Sequence, residues 1–205
     1  MKKLITLLLT LVLCAISPLS YSLDKGKNTM VKLHTNHGII TIQLDAAKAP
    51  NTVKNFLDYV NAGFYSNTIF HRVIADFMIQ GGGFERDLSE KNTREPIVNE
   101  ANNGLLNEKG TIAMARTADP DSATAQFFVN LADNQFLNYV SPDPEQMGYC
   151  VFGKVTSGFD VVQKIGLSPT NNIGRNENVP IKPITIKSVK LLSEVAKEPA
   201  KEVTK

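Results

Sequence analysis

Strand periodicity is the dominant constraint on how this chain can fold. Val31, Leu33 and Thr35 alternate with Lys32 and His34, and after Asn36-His37-Gly38 the alternation resumes at Ile40, Ile42 and Leu44. This is the pattern of an antiparallel hairpin with one buried face. From Pro50 the period changes: Val53, Phe56, Leu57 and Val60 fall at i, i+3, i+4 and i+7, with Pro50 near the first turn and Gly63 placed as a stop, which predicts one amphipathic helix. Short apolar or β-branched runs follow at 69–74, 77–80, 111–115, 126–130, 151–155 and 184–190, each bounded by Gly, Pro, Asn or Asp. A second short helical pattern, Phe159, Val162 and Ile165, precedes the last of them. About eight short strands with only two helices argue for a mainly β chain, a closed antiparallel β-barrel capped by two α-helices, and against alternating βαβ units.

Segment 84–109 carries little periodicity, and an irregular stretch of that length inside a compact domain is either functional or disordered. Pro96-Ile97-Val98 offers apolar anchors, so an ordered loop is expected. At the N-terminus, MKK is followed by an uncharged run from Leu4 to Ile16 and by Ser20-Tyr21-Ser22, the pattern of a secretory signal peptide. The run falls short of the roughly 20 residues a membrane span needs. A lipoprotein cleavage before Cys14 is disfavoured by the bulky Leu13. The expected organisation is a signal peptide at 1–22, one domain at 23–192, and a charged, disordered tail at 193–205, where Glu194, Lys197, Glu198, Lys201, Glu202 and Lys205 have almost nothing to bury.

Removing the leader takes away Lys2 and Lys3 and no acid, so the formal charge falls from +2 to zero. A neutral mature chain offers no electrostatic attraction to nucleic acid or to anionic membrane. Of the two cysteines, Cys14 leaves with the leader, so Cys150 has no partner for an intramolecular disulfide even in an oxidising compartment. The expected protein is exported, to the periplasm or beyond, and monomeric.

Conventional catalytic signatures are missing. The three histidines, His34, His37 and His71, form neither HExxH nor a Cys/His cluster, so no metal and no cofactor is expected. There is no G-x-S-x-G elbow for an envelope hydrolase, and Gly81-Gly82-Gly83 is not followed by the Lys-Ser/Thr of a phosphate loop. The glycines instead imply that the backbone after Gln80 needs positive φ or passes close to something.

What remains is a polar pair on an apolar surface. In FHRVIADFMIQGGG, Phe70 to Gly83, period-2 alternation puts Phe70, Arg72 and Ile74 on one strand face and His71 and Val73 on the other, while Met78 and Gln80 share a face of the next strand. Arg72 and Gln80 then meet across a short connection, where a Gln carbonyl would fix the guanidinium. Taken alone, this stretch leaves open an Arg72 that is merely solvated and unrelated to Gln80. A second strand, Gln126 to Asn130, again sets a Gln and an aromatic, Gln126 and Phe128, on one face, with Phe127 and Val129 turned to a core.

FHRVIADFMIQGGG, with GTIAMAR, AQFFVNL and VFGKV, resembles the cyclophilin-type peptidyl-prolyl cis-trans isomerases, and is especially similar to exported bacterial members. The resemblance covers about residues 30 to 191. It implies a closed eight-stranded antiparallel barrel capped by two helices, and isomerisation of X-Pro bonds in folding or mature exported polypeptides, without a cofactor. It puts the catalytic arginine on Arg72, the proline pocket on Phe77, Met78, Phe128 and Leu137, and peptide-backbone contacts on Gln80, Ala115 and Gln126. Three positions depart from eukaryotic members: Arg116 where they have Asn, Phe136 where many have Trp, and Tyr149 where they have His. Arg116 would touch the peptide through its main chain; Phe136 and Tyr149 would form the pocket edges. Because cyclosporin recognition in the family is associated with that Trp, weak cyclosporin affinity is expected. A binding module that holds proline segments without turnover is the rival reading, disfavoured because Arg72 is retained.

Overall fold

The structure, a computed structural model, describes residues 29–192. The leader expected at 1–22 and the tail expected from Ser193 lie outside the described residues. In chain order the elements are β1 (Thr29–Thr35), β2 (Ile39–Leu44), α1 (Pro50–Asn61), β3 (Thr68–Ile74), β4 (Met78–Gly81), β5 (Thr111–Met114), β6 (Phe127–Asn130), β7 (Val151–Ser157), α2 (Phe159–Gly166), β8 (Thr170–Ile173), β9 (Asn176–Pro180) and β10 (Thr185–Leu192). Eight strands close into a barrel in the order β1-β10-β3-β4-β6-β5-β7-β2, and every pairing is antiparallel.

Register explains how the alternations cooperate. Val31 stands opposite Ile42 and Leu33 opposite Ile40, so the apolar sides of β1 and β2 enter the barrel together. They join a core that includes Val53, Phe56, Phe127, Val129 and Phe152. α1 delivers Val53, Phe56, Leu57 and Val60, all buried, as the 3.6-residue period predicts. Phe56 is central, its ring 5.1 Å from Tyr65, 5.3 Å from Phe152 and 5.7 Å from Phe127. Burying one such ring contributes about 1.5–3 kcal/mol. Just past the helix, Gly63 takes φ +66° and donates its N–H to the Val60 carbonyl at 3.0 Å, a left-handed stop that favours glycine. α2 buries Val162 and Ile165.

The long loop 84–109 is ordered, and it anchors α1. Glu100 reaches back to the first turn: Oε1 accepts from the N and Nδ2 of Asn51 at 3.1 and 2.9 Å, and Oε2 from the N and Oγ1 of Thr52 at 2.9 and 2.8 Å. Helix donors that have no intrahelical partner thus meet a carboxylate on the favourable end of the helix dipole. Ile97 bridges Ala123 and packs on the core, whereas Val98, expected as a second anchor, is exposed. The sequence reading also missed the β8–β9 hairpin, a separate two-stranded sheet whose β9 lies against β3. Its strands, TNNI and NENVP, carry no apolar alternation, so nothing in them marks a strand.

Candidate functional site

The barrel wall has two apolar faces. Inside lies the main core; outside, Met78, Ala113, Phe128, Leu137 and Val151 form a second buried cluster, with Ile74, Phe77, Ala115 and Tyr149 packed against it. Strict alternation along β6 produces this split: Phe127 and Val129 turn inward, Phe128 outward. Cross-strand register aligns the outer side chains into a row, Arg72 opposite Gln80, Gln80 opposite Phe128, and Phe128 opposite Ala113.

Arg72 reaches this face by a bulge. Phe70 pairs with Gly81 and Arg72 with Gln80, so the register slips at His71. Phe70 and Val73 both enter the main core, while Ile74 packs outside. Phe70 therefore does not share the face of Arg72, contrary to simple alternation: the extra residue of a bulge lets two side chains separated by two positions point to opposite sides. His71, the residue that absorbs the slip, is 7 % exposed and packs on Phe84 with ring centroids 4.4 Å apart. Burial, and then the neighbouring Arg72 charge, push its pKa down to about 4.

A pocket of about 420 Å³, counting the solvent at its mouth, opens on this outer face. Arg72, Phe77, Met78, Gln80, Ala115, Arg116, Phe128, Leu137 and Tyr149 line it. Gln126, immediately before β6, stands behind Gln80, and Phe136 is 75 % exposed at the rim, stacked on Phe77 at 5.6 Å and 28°. The structure thus gathers nine of the eleven residues singled out from sequence into one wall and sets the other two against it. Leu137 and Phe136 come from a 3-10 turn, Gln135–Leu137, and Ala115 lies just past β5. Arg72 is half-buried and makes no side-chain hydrogen bond or ion pair among the described residues.

Gln80 does not clamp Arg72. Its Nε2 donates to Oε1 of Gln126 at 3.0 Å, and Gln126 Nε2 donates to Oε1 of Glu90 at 3.3 Å. The amide pair belongs together, and Glu90, from the long loop, finishes the chain. The glycine triplet meets both expectations, positive φ and close approach, within the protein's own packing. A Cβ on Gly81 would sit 2.9 Å from the Ile69 carbonyl and from Phe70, Gly82 has φ +87°, and a Cβ on Gly83 would collide with the Gln126 side chain.

Three buried asparagines, none of them anticipated, carry the pocket's far wall. Asn134 Nδ2 donates to the Phe77 carbonyl and to Asn130 Oδ1, Asn130 Nδ2 donates to Asn107 Oδ1, and Asn107 Nδ2 donates to the Leu137 and Tyr149 carbonyls, at 2.8 to 3.2 Å. The main chains of three lining residues thereby hang on one network that is satisfied internally. Only a run of asparagines near turns hints at it in the sequence. No cluster of three or more His, Cys, Asp or Glu among the described residues is placed to hold a metal ion.

Comparison with known proteins decides what this wall belongs to. The family described as "Cyclophilin type peptidyl-prolyl cis-trans isomerase/CLD" matches residues 30–191. The chain belongs to the cyclophilin-type peptidyl-prolyl cis-trans isomerases. Peptidyl-prolyl cis-trans isomerase B of Escherichia coli is 58% identical over 160 residues, 78% of this chain and 98% of that protein. Peptidyl-prolyl cis-trans isomerase cyp18 of Streptomyces antibioticus is 55% identical over 162 residues, 79% of this chain and 98% of its own. A crystal structure of a Cryptosporidium parvum cyclophilin superposes with a TM-score of 0.69 at 28% identity, over 81% of this chain and 98% of that one. The same Cryptosporidium protein has been crystallised in the presence of the dipeptide Ala-Pro. This cyclophilin is a peptidyl-prolyl cis-trans isomerase.

Proposed function

We propose that Arg72 drives the isomerisation by favouring the twisted X-Pro amide, and that the clients are exported polypeptides. Rotation must break amide resonance against a barrier of about 18–20 kcal/mol, which takes tens to hundreds of seconds unaided. No covalent bond forms or breaks. As the amide twists, the prolyl nitrogen becomes pyramidal and recovers a lone pair, so a donor aimed at that nitrogen is rewarded only in the transition state. Shortening the event from tens of seconds to milliseconds is about 10⁴-fold, or about 5.5 kcal/mol. A charged hydrogen bond of about 1.5–3 kcal/mol, strengthened where water is thin, together with apolar seating of the ring on Phe77, Met78, Phe128 and Leu137, has the right size.

The observation that carries this reading is a half-buried guanidinium with no protein acceptor among the described residues, set in an apolar wall directly across from Gln80. Gln80, Ala115, Arg116 and Gln126 then hold the peptide backbone, while Phe136 and Tyr149 close the edges. Proline-containing peptides are the substrate class, in line with the dipeptide used for the Cryptosporidium relative. The MKK leader supports export with a mature start at Leu23, and the chain is read as acting as a monomer, without cofactor. An isomerisation assay of the purified mature chain beside Arg72→Ala tests the mechanism: a loss of at least about ten-fold with unchanged circular dichroism is expected. Wild-type rates would remove Arg72 from the role. N-terminal sequencing of exported protein tests the compartment, and a chain starting at Cys14 with an acyl mass would overturn it.

A further inference from the structure

We propose that Arg116 gives this isomerase a preference for X-Pro segments carrying a carboxylate side chain next to the proline; this rests on the reading of the pocket as the proline site.

Arg116 is a second guanidinium in the wall that holds Arg72, and it is rigidly mounted. Its Nε donates to the Gly148 carbonyl at 3.0 Å, and its Nη1 to the carbonyls of Thr117 and Ala118 at 2.8 and 3.4 Å. Its Cζ lies 4.6 Å from the centroid of the Tyr149 ring. These contacts use the inner edge of the fork and one face of the plane, and no protein acceptor meets Nη2 among the described residues. A fork already fixed by its backbone loses little freedom when it accepts a carboxylate.

Its charge is also unbalanced. No carboxylate lies within ion-pair distance of Arg116 among the described residues, and the pocket lining contains two arginines and no acid. The nearest acids along the chain are engaged elsewhere: Asp119 Oδ1 accepts from Asp121 N at 3.0 Å, and Asp121 Oδ1 from Asn99 N at 2.8 Å. Glu90 is occupied by Gln126. An apolar seat with two arginines on its wall, neither of them ion-paired among the described residues, discriminates by charge, because a flanking glutamate is attracted and a flanking lysine repelled. Arg72 is committed to the amide, which leaves Arg116 for the neighbouring side chain.

The test uses the mature protein and tetrapeptides with Glu, Gln or Lys immediately before or after the proline, Gln being the neutral match of Glu. At low ionic strength the kcat/KM for the Glu peptide should exceed that for its Gln match by about three- to five-fold in at least one position, the size of a solvent-accessible ion pair. The Lys peptide should fall below both. The Glu/Gln ratio should shrink toward one at about 0.5 M salt and in Arg116→Gln, and persist in part in Arg116→Lys, which keeps the charge and loses the fork. A wild-type ratio of one at both positions overturns the inference even though the Gln peptides turn over. A ratio unchanged in Arg116→Gln also overturns it and assigns the charge preference to Arg72. If no peptide is isomerised, the reading of the pocket falls, and this inference with it.

Discussion

Gln80, on β4, and Gln126, just before β6, lie diagonally across the barrel wall and share one hydrogen bond, Nε2 of the first to Oε1 of the second at 3.0 Å. That bond fixes which end of each amide is free. Gln80 is left with a carbonyl oxygen that makes no hydrogen bond among the described residues, and Gln126 spends its own amide on Glu90. A polar relay thus runs from the long loop to the pocket wall, and its geometry depends on a residue outside the pocket lining.

That residue is Gly83. A methyl group there would collide with the Gln126 side chain, so Gly83→Ala should turn Gln126 away and release Gln80. We expect kcat/KM to fall by about two- to ten-fold, the span of one neutral hydrogen bond, with circular dichroism unchanged. Steady-state isomerisation of the variant decides it, and wild-type values would mean the relay is dispensable.

His71 makes stability depend on pH. Its folded pKa of about 4 lies below its unfolded value of 6.5, so the unfolded chain binds the extra proton first. The contribution is complete above about pH 6.5 and is lost as pH falls toward 4. By pH 4.5 the loss should reach about 2–3 kcal/mol relative to pH 7. Denaturant unfolding at both pH values, compared with His71→Gln, isolates it from the carboxylates; equal pH slopes in the two proteins would contradict the assignment.

Glu100 tests the long-range cap. Glu100→Ala removes four hydrogen bonds to the first turn of α1 and should cost about 1–2 kcal/mol, lowering Tm by roughly 3–6 °C. Thermal unfolding followed by circular dichroism gives the value directly, and an unshifted Tm would show that solvent satisfies those donors equally well.

Phe136 concerns cyclosporin. The chain contains no Trp, and the exposed ring stacked on Phe77 offers no N–H donor. Phe136→Trp should raise cyclosporin sensitivity several-fold or more while changing kcat/KM by less than about three-fold, because the rim lies apart from the Arg72 and Gln80 row. Inhibition titrations of both proteins check this, and identical curves would move the determinant to Arg116 or Tyr149.

Local patterns made most of the architecture readable. The hairpin, both helices and the alternation of Phe127, Phe128 and Val129 are encoded by neighbours a few residues apart, and the structure agrees on each. Readings that needed distant partners went astray. The face of Phe70 depends on a register slip between two strands, which no single-strand pattern records. Gln80 met Gln126 instead of Arg72 because the pairing of β4 with β6 brings the start of β6 within reach of its amide, 46 positions away in sequence. Asn107, Asn130 and Asn134 were invisible because an asparagine buried as a structural strut reads the same as one in a solvated turn. Glu100 was hidden for the same reason, since a cap lent from a loop leaves no mark at the helix it completes.

The seam between β1 and β10, where Val31 meets Leu191 and Met30 meets Leu192, governs how the molecule comes into being. Nearly the whole described chain separates the two strands, so the loop closed by their pairing is as long as the domain allows, and contacts of such separation slow folding. Until β10 arrives, β1 exposes an unpaired edge that invites association with other chains. During synthesis the last of the described strands to emerge is the one that shuts the barrel. A nascent chain halted short of Thr185 therefore keeps an open sheet, with β1 unpaired on the side that β10 would cover.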